Sequence, residues 1–351
     1  PPASGPQATV LAIDAMGGDA GPEAVIDGAA MAAQDGVDVD FLVFGKKSIL
    51  EPLVAAHSTL AGATIVDVEN VVAMTDKPAH VLRRGRDTSM WAAVDAVKSG
   101  DASAVMSCGN TGALMAVAYK QLGMIKGVDR PAISALWPTP RGRTVVLDVG
   151  ATVEVEAEQL VQFAIMGEAF FRAMTGVEKP TVGLLNVGAE ELKGHELIRT
   201  AARILKEADP EMAFSGFVEG DDISKGTVDV VVTDGFSGNI ALKSAEGAAR
   251  LVGKWVKEAL TGSTLAKVGA LFMASDLKKL KDRIDPSNAN GGVFLGLNGT
   301  VVKSHGGADA KGVMSAISMA ASLARKPFQD EVSTTVARVF ARAGNSLHAA
   351  E

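Results

Sequence analysis

The chain has 351 residues, 47% apolar and 21% charged, enough to bury a large core, which argues against a disordered segment or a small stapled scaffold. A formal charge of −7 argues against a nucleic-acid binder, which needs a basic face. The single cysteine, Cys108, can form neither an internal disulfide nor a thiolate-rich centre, and the five histidines show no close ligand spacing, so no metal or cofactor is expected. No stretch approaches the roughly 18 to 20 apolar residues that span a bilayer. Pro1 to Ala8 lacks the basic flank and apolar run of a signal peptide and reads as an extension of a cytoplasmic protein.

Short β-branched runs repeatedly enter turns of small residues and then helical patterns. Val10 to Ala15 enters Met16-Gly17-Gly18-Asp19-Ala20-Gly21-Pro22, and Glu23 to Gln34 follows with Ala-rich helical spacing. Ala104 to Ser107 enters Cys108-Gly109-Asn110-Thr111-Gly112 before a helix over Ala113 to Leu122. Val145 to Asp148 enters Val149-Gly150-Ala151-Thr152, then a helix from Glu156 to Met174. Val182 to Leu185 enters the long turn Asn186 to Gly194 and a helix ending near Ala208. Val228 to Thr233 enters Asp234-Gly235-Phe236-Ser237-Gly238-Asn239, with a helix beginning near Ile240. Gly299 to Val302 precedes Lys303-Ser304-His305-Gly306-Gly307-Ala308-Asp309 and a helical run from Ala310. This alternation predicts an α/β fold with a doubly wound, mostly parallel sheet: one large domain over residues 9–330 and a helical tail over 331–351. In such a sheet the turns at the carboxyl ends are expected to converge on one edge.

Glycine-rich turns before helices aim backbone N–H groups and positive helix ends at an anion. The chain has neither G-x-G-x-x-G nor G-x-x-x-x-G-K-[ST], so a phosphate outside any nucleotide is the favoured ligand. Gly17, Gly18, Asn110, Thr111 and Gly112 are the candidate cradle. Lys193 stands at a helix entrance, where a cation opposes the macrodipole; it is either an anion ligand or a solvated lysine. Asn239 is an N-cap or an amide donor to an oxyanion. His305 is a general acid, a phosphate ligand or a packed histidine. Asp14, Asp19, Asp148 and Asp234 end strands, where carboxylates bind a divalent cation, orient a lysine or cap turns. Arg83, with Arg84 and Arg86, precedes the helical run Trp91 to Lys98 and suits an acidic ligand or a solvated basic turn. Cys108 has no histidine fixed beside it, which argues against a thiol nucleophile.

Taken together, Ile13-Asp14-Ala15-Met16-Gly17-Gly18-Asp19, Ser107 with Gly109-Asn110-Thr111-Gly112, Leu147-Asp148-Val149-Gly150-Ala151, Val228 to Phe236, Leu295 to Gly299 and Lys303-Ser304-His305-Gly306 resemble the bacterial phosphate acyltransferase (PlsX) family, from Val10 to Ile317. The resemblance implies a fold like those of isopropylmalate dehydrogenase and phosphotransacetylase, and a homodimer. It also implies transfer of an acyl group from acyl carrier protein to inorganic phosphate, giving acyl phosphate for phospholipid synthesis. The family's catalytic lysine and asparagine fall on Lys193 and Asn239, with His305 as a further candidate, and Ser107 and Ser304 join the phosphate and substrate set. Cys108, Thr152, Ala189 and His195 depart from the family's usual residues.

Residues 245–285 read as an amphipathic helical hairpin. Leu251, Val252, Trp255, Val256, Ala259 and Leu260 share one helical face, and Lys254 to Arg283 holds seven Lys/Arg against three Asp/Glu. Such a basic apolar hairpin suits dimer packing, an acidic carrier protein or reversible contact with an anionic membrane surface. Transfer from acyl-CoA, as in phosphotransacetylases, is the alternative reaction.

Overall fold

The computed structural model describes residues 9–278, 291–326 and 328–348. Its strands are β1 (Val10–Asp14), β2 (Asp40–Gly45), β3 (Thr64–Asp67), β4 (Ala104–Ser107), β5 (Ala132–Thr139), β6 (Gly142–Leu147), β7 (Thr181–Leu185), β8 (Ala213–Val218), β9 (Val230–Val232), β10 (Gly292–Leu295) and β11 (Thr300–Lys303). The helices are α1 (Gly21–Gln34), α2 (Lys47–Ala55), α3 (Pro78–Arg84), α4 (Ser89–Ser99), α5 (Thr111–Leu122), α6 (Ala157–Thr175), α7 (Glu196–Ala208), α8 (Gly220–Lys225), α9 (Gly235–Thr261), α10 (Thr264–Phe272), α11 (Ala310–Ala324) and α12 (Gln329–His348).

One eleven-stranded sheet runs in the order β3-β2-β1-β4-β11-β10-β5-β6-β9-β7-β8. The first five strands of that order are mutually parallel, as are the last four. Between them β10 is antiparallel to both β11 and β5, and β5 is antiparallel to β6. Three reversals leave the two parallel halves running in opposite senses. The expectation that all turns leave one edge is therefore corrected. Turns after β1, β4 and β11 leave one edge, and those after β6, β9 and β7 leave the other. An α/β alternation fixes strand sense only while every connection is a crossover, and the β5–β6 hairpin breaks that run.

The halves are staggered. Asp14 pairs in register with Ser107, Ser107 with Lys303, and Lys303 with Gly292, which stands level with Ala135 and Val146. The carboxyl ends of the two halves thus lie at nearly one height, separated by the strip of β10 and β5.

Both faces are covered, as a doubly wound sheet requires. Leu11, Ile13, Met106, Leu147 and Val232 pack beneath α1, α6, α7 and α11. Val332, Val336 and Val339 of α12 join the same core, so the expected tail packs as part of the α/β body. On the other face Ala12, Val105 and Val301 meet α3, α4 and α5, while Val146 and Val231 meet α8 and the start of α9. Over the central strip Phe294 of β10 and Trp137 of β5 join these layers, with Ile133 and Ala135 half-buried between them. Beyond its first turns α9 leaves the sheet: Gly235 and Gly238 are its buried residues, and Leu251, Val252 and Trp255 are exposed.

Candidate active site

Two groups of turns flank the strip of β10 and β5. The first is built on β1, β4 and β11, whose last residues, Asp14, Ser107 and Lys303, form one row across three parallel strands. Side chains in register on parallel strands share a face. The Asp14 carboxylate accepts from Ser107 Oγ and from Ser89 Oγ at the start of α4, each at 2.7 Å. Burial pushes the Asp14 carboxyl above its ordinary range, against those hydrogen bonds and the nearby Lys303 charge.

The glycines of this group serve loop packing. A Cβ on Gly17 would stand 2.6 Å from the Gly109 nitrogen, and one on Gly18 (φ +98°) 2.8 Å from the Gly306 carbonyl. The Asp19 N–H donates to that same carbonyl at 2.7 Å. Asn110, expected in an anion cradle, has its polar atoms in use. It caps α5 by accepting from Ala113 N, and its amide donates to the Met74 and Asp76 carbonyls. Thr111 and Gly112 lie exposed in the first turn of α5. Ser304 is fully buried. His305 is exposed, and its Nδ1 accepts from Gly307 N at 3.2 Å. Arg83 is exposed on α3 and donates to the Ala79 carbonyl one turn back.

The second group follows β6, β9 and β7, which are neighbours in the sheet. Asp148 is fully buried, and its carboxylate accepts from four backbone N–H groups: Ile133, Gly150, Ala151 and Thr152, at 2.6–3.1 Å. The glycine turn here is thus a nest for an anion that the chain itself supplies. Burial raises the Asp148 carboxyl above its usual range, and the four N–H donors oppose that shift.

Asp234 caps α9, accepting from Ser237 N at 2.7 Å. Asn239 therefore lies inside the helix, and the N-cap reading of it is corrected. Its exposed side chain sits over Gly150, with the amide nitrogen 3.2 Å from the Cβ position of that glycine. Beyond β7, Asn186 is buried and donates to the Lys193 carbonyl at 3.0 Å, pinning the tight turn at Gly194 (φ +81°). The Lys193 side chain is exposed. Asn239 thus follows the middle strand of three, with the Asp148 nest on one side and the Lys193 turn on the other.

From β11 to β6 is three ladder steps, about 14 Å at ~4.8 Å per strand. The structure brings Lys193, Asn239, Asp148 and Asp234 to one side of the strip, and Asp14, Gly17, Gly18, Asp19, Ser107, Asn110, Ser304 and His305 to the other. Lys303 is a site residue that sequence pattern marks only weakly, as a lysine ending the strand Thr300-Val301-Val302. Its ammonium is nearly buried and donates to the carbonyls of Cys108 (3.3 Å) and Ser304. Among the described residues no cluster of His, Cys, Asp or Glu could hold a metal ion, and no helix is long and apolar enough to cross a membrane.

This is the α/β architecture of the phosphotransacetylases. The chain is similar to a solved phosphotransacetylase from Streptococcus pyogenes, with a TM-score of 0.61 and 17% identity, covering 90% of this chain and 94% of that one. A family model described as fatty acid synthesis protein matches residues 9–331. The chain is 54% identical over 326 residues to the phosphate acyltransferase of Maricaulis maris, covering 92% of this chain and 93% of that protein. It is 52% identical over 331 residues to the phosphate acyltransferase of Parvibaculum lavamentivorans, covering 94% and 92%. The chain belongs to the phosphate acyltransferase family, and it is an enzyme of the acyltransferase class.

Proposed function

We propose that the protein transfers a fatty acyl group from acylated acyl carrier protein to inorganic phosphate, giving acyl phosphate for phosphatidic acid synthesis. A phosphate oxygen attacks the thioester carbonyl, the C–O bond forms and the C–S bond breaks. The electron pair leaves with the phosphopantetheine sulfur, which takes its proton from solvent. Phosphate is already ionised near neutral pH and a thiolate leaves readily, so the protein's work is positioning and charge stabilisation. Lys193 stabilises the phosphate and the tetrahedral oxyanion, and Asn239 donates to the same centre. His305, across the strip, orients phosphate or exchanges a proton with it.

The observation that carries this reading is that Lys193 and Asn239 follow adjacent strands, Lys193 on the turn after β7 and Asn239 near the start of α9, with Asn186 bonded to the Lys193 carbonyl and Gly150 beneath the Asn239 amide. Ile133 and Ala135, half-buried on β5, add apolar surface between the two groups of turns. The basic, apolar hairpin of α9 and α10 supports a homodimer, an acidic carrier protein as partner and contact between a cytoplasmic enzyme and an anionic membrane surface. Residues 279–285 of that hairpin lie outside the described residues. The test is phosphate-dependent release of carrier thiol, with acyl phosphate trapped by hydroxylamine. Thiol release independent of phosphate overturns the reading, and faster reaction with the same acyl chain on coenzyme A overturns the carrier-protein part of it.

A further inference from the structure

The row Asp14–Ser107–Lys303 has no part in the mechanism above, yet it buries an ammonium beside a carboxylate in the body of the sheet. Lys303 is 8% exposed and Asp14 1%. The ammonium is met by main-chain carbonyls, of Cys108 and Ser304, while Asp14 and Asp19 act on it only through space. Burying a charge without a close counter-ion is unfavourable, and an apolar side chain would fill the same space at less cost. What the ammonium does that an apolar group cannot is join two turns. Cys108 opens the turn after β4, and Ser304 opens the turn after β11. The turn after β1 is already locked to both, through Gly17 against Gly109 and through the Asp19 N–H on the Gly306 carbonyl.

We propose that Lys303 is a positioning residue for the acyl transfer, its ammonium holding the turns after β4 and β11, and with them His305, in one arrangement. The inference rests on the phosphate acyltransfer reading for its assay, and it adds a residue to that site. Lys303 acts through the turns and touches no substrate. The row joins β1, β4, β11 and α4 in one buried hydrogen-bonded unit, so loss of the clamp is transmitted to His305 and to the start of α5.

Burial lowers the Lys303 amine to about 8, opposed by Cys108, Asp14 and Asp19, the groups that face it from the turns after β4 and β1 and from β1 itself. The clamp is therefore charge-assisted while the amine is protonated and weakens as pH rises through that value. An arginine at this position does not deprotonate in the accessible range.

The test is the pH profile of kcat/KM for phosphate-dependent thiol release, in the wild type, Lys303→Arg and Lys303→Met, with circular dichroism checking the fold of each. The wild type is expected to fall on the alkaline side of about pH 8. Lys303→Arg is expected to remove that fall while keeping measurable turnover, and folded Lys303→Met to lose roughly tenfold or more below about pH 8 and to approach the wild type above it, a loss of the size that misplacement produces. An alkaline limb that is unchanged in Lys303→Arg overturns the proposal, as does folded Lys303→Met with wild-type activity below about pH 8. If Lys303→Met does not fold, the Arg profile decides alone. A wild type with no phosphate-dependent turnover sinks the reaction assignment instead, which keeps the two failures distinct.

Discussion

Asn239 rests on Gly150: its amide nitrogen lies 3.2 Å from where a Cβ on that glycine would stand, and Gly150 has φ +134°, a conformation L side chains avoid. The glycine both permits the turn around the Asp148 carboxylate and leaves room for the amide that the acyl-transfer reading uses. Gly150→Ala is expected to displace Asn239 and to strain the backbone by about 1–3 kcal/mol. Turnover should fall toward that of Asn239→Ala, and the double variant should lose little more than either single change. Simple addition of the two losses would mean that Gly150 does not act through Asn239.

The Lys193 turn separates a side chain from its support. Lys193 is exposed, so Lys193→Ala should leave thermal stability unchanged while lowering turnover roughly 10²-fold, the scale seen when a charge-stabilising group is removed. Asn186→Ala deletes the buried donor to the Lys193 carbonyl. It is expected to lower both stability, by about 1–3 kcal/mol, and turnover. Near wild-type turnover in Lys193→Ala removes that residue from the mechanism.

Much of this arrangement is legible in the sequence, and the missing parts have one physical origin. Each strand, small-residue turn and helix is a local pattern, so β1 with α1, β4 with α5 and β6 with α6 can be read from Val10, Ala104 and Val145 onward. Strand sense is not local. It depends on β5 and β10, which carry no glycine-rich turn into a helix, and on pairings such as Val293 with Ser134, far apart in the chain. The same is true of Lys303, whose burial arises only once β4 and β11 align it with Ser107. Asn110 and Asp148 had the right residue types for anion chemistry, but their hydrogen bonds are satisfied within the fold, which spacing alone could not reveal.

Asp14 gives stability a pH dependence of definite sign. Burial raises its carboxyl above the ordinary value, so its favourable contribution is complete below the unfolded-state pKa and is lost as pH rises through the folded one. Asp14→Asn removes that dependence while keeping an acceptor for Ser89 or Ser107. The melting temperature of the variant minus that of the wild type should therefore become more positive as pH rises above the ordinary carboxylate range of about 4. A difference that is flat there, or that falls with pH, would show the carboxyl to be unshifted or lowered.

The last relationship lies away from the cleft, at the far end of α9 and α10. Leu271 and Phe272 are 75% and 89% exposed, and Lys267 lies on the same helix. Two large apolar side chains beside a cation form the minimal unit for peripheral attachment to an anionic bilayer, one contribution from desolvation and one from charge. Each apolar side chain contributes about 1.5–3 kcal/mol if fully transferred out of water. Leu271→Ser with Phe272→Ser should therefore reduce sedimentation with phosphatidylglycerol vesicles roughly 10²-fold or more. Charge reversal at Lys278 and Lys279 should reduce it less, and mainly at low ionic strength, because surface charge is screened. Vesicle binding that survives the serine pair would move the attachment surface elsewhere on the molecule.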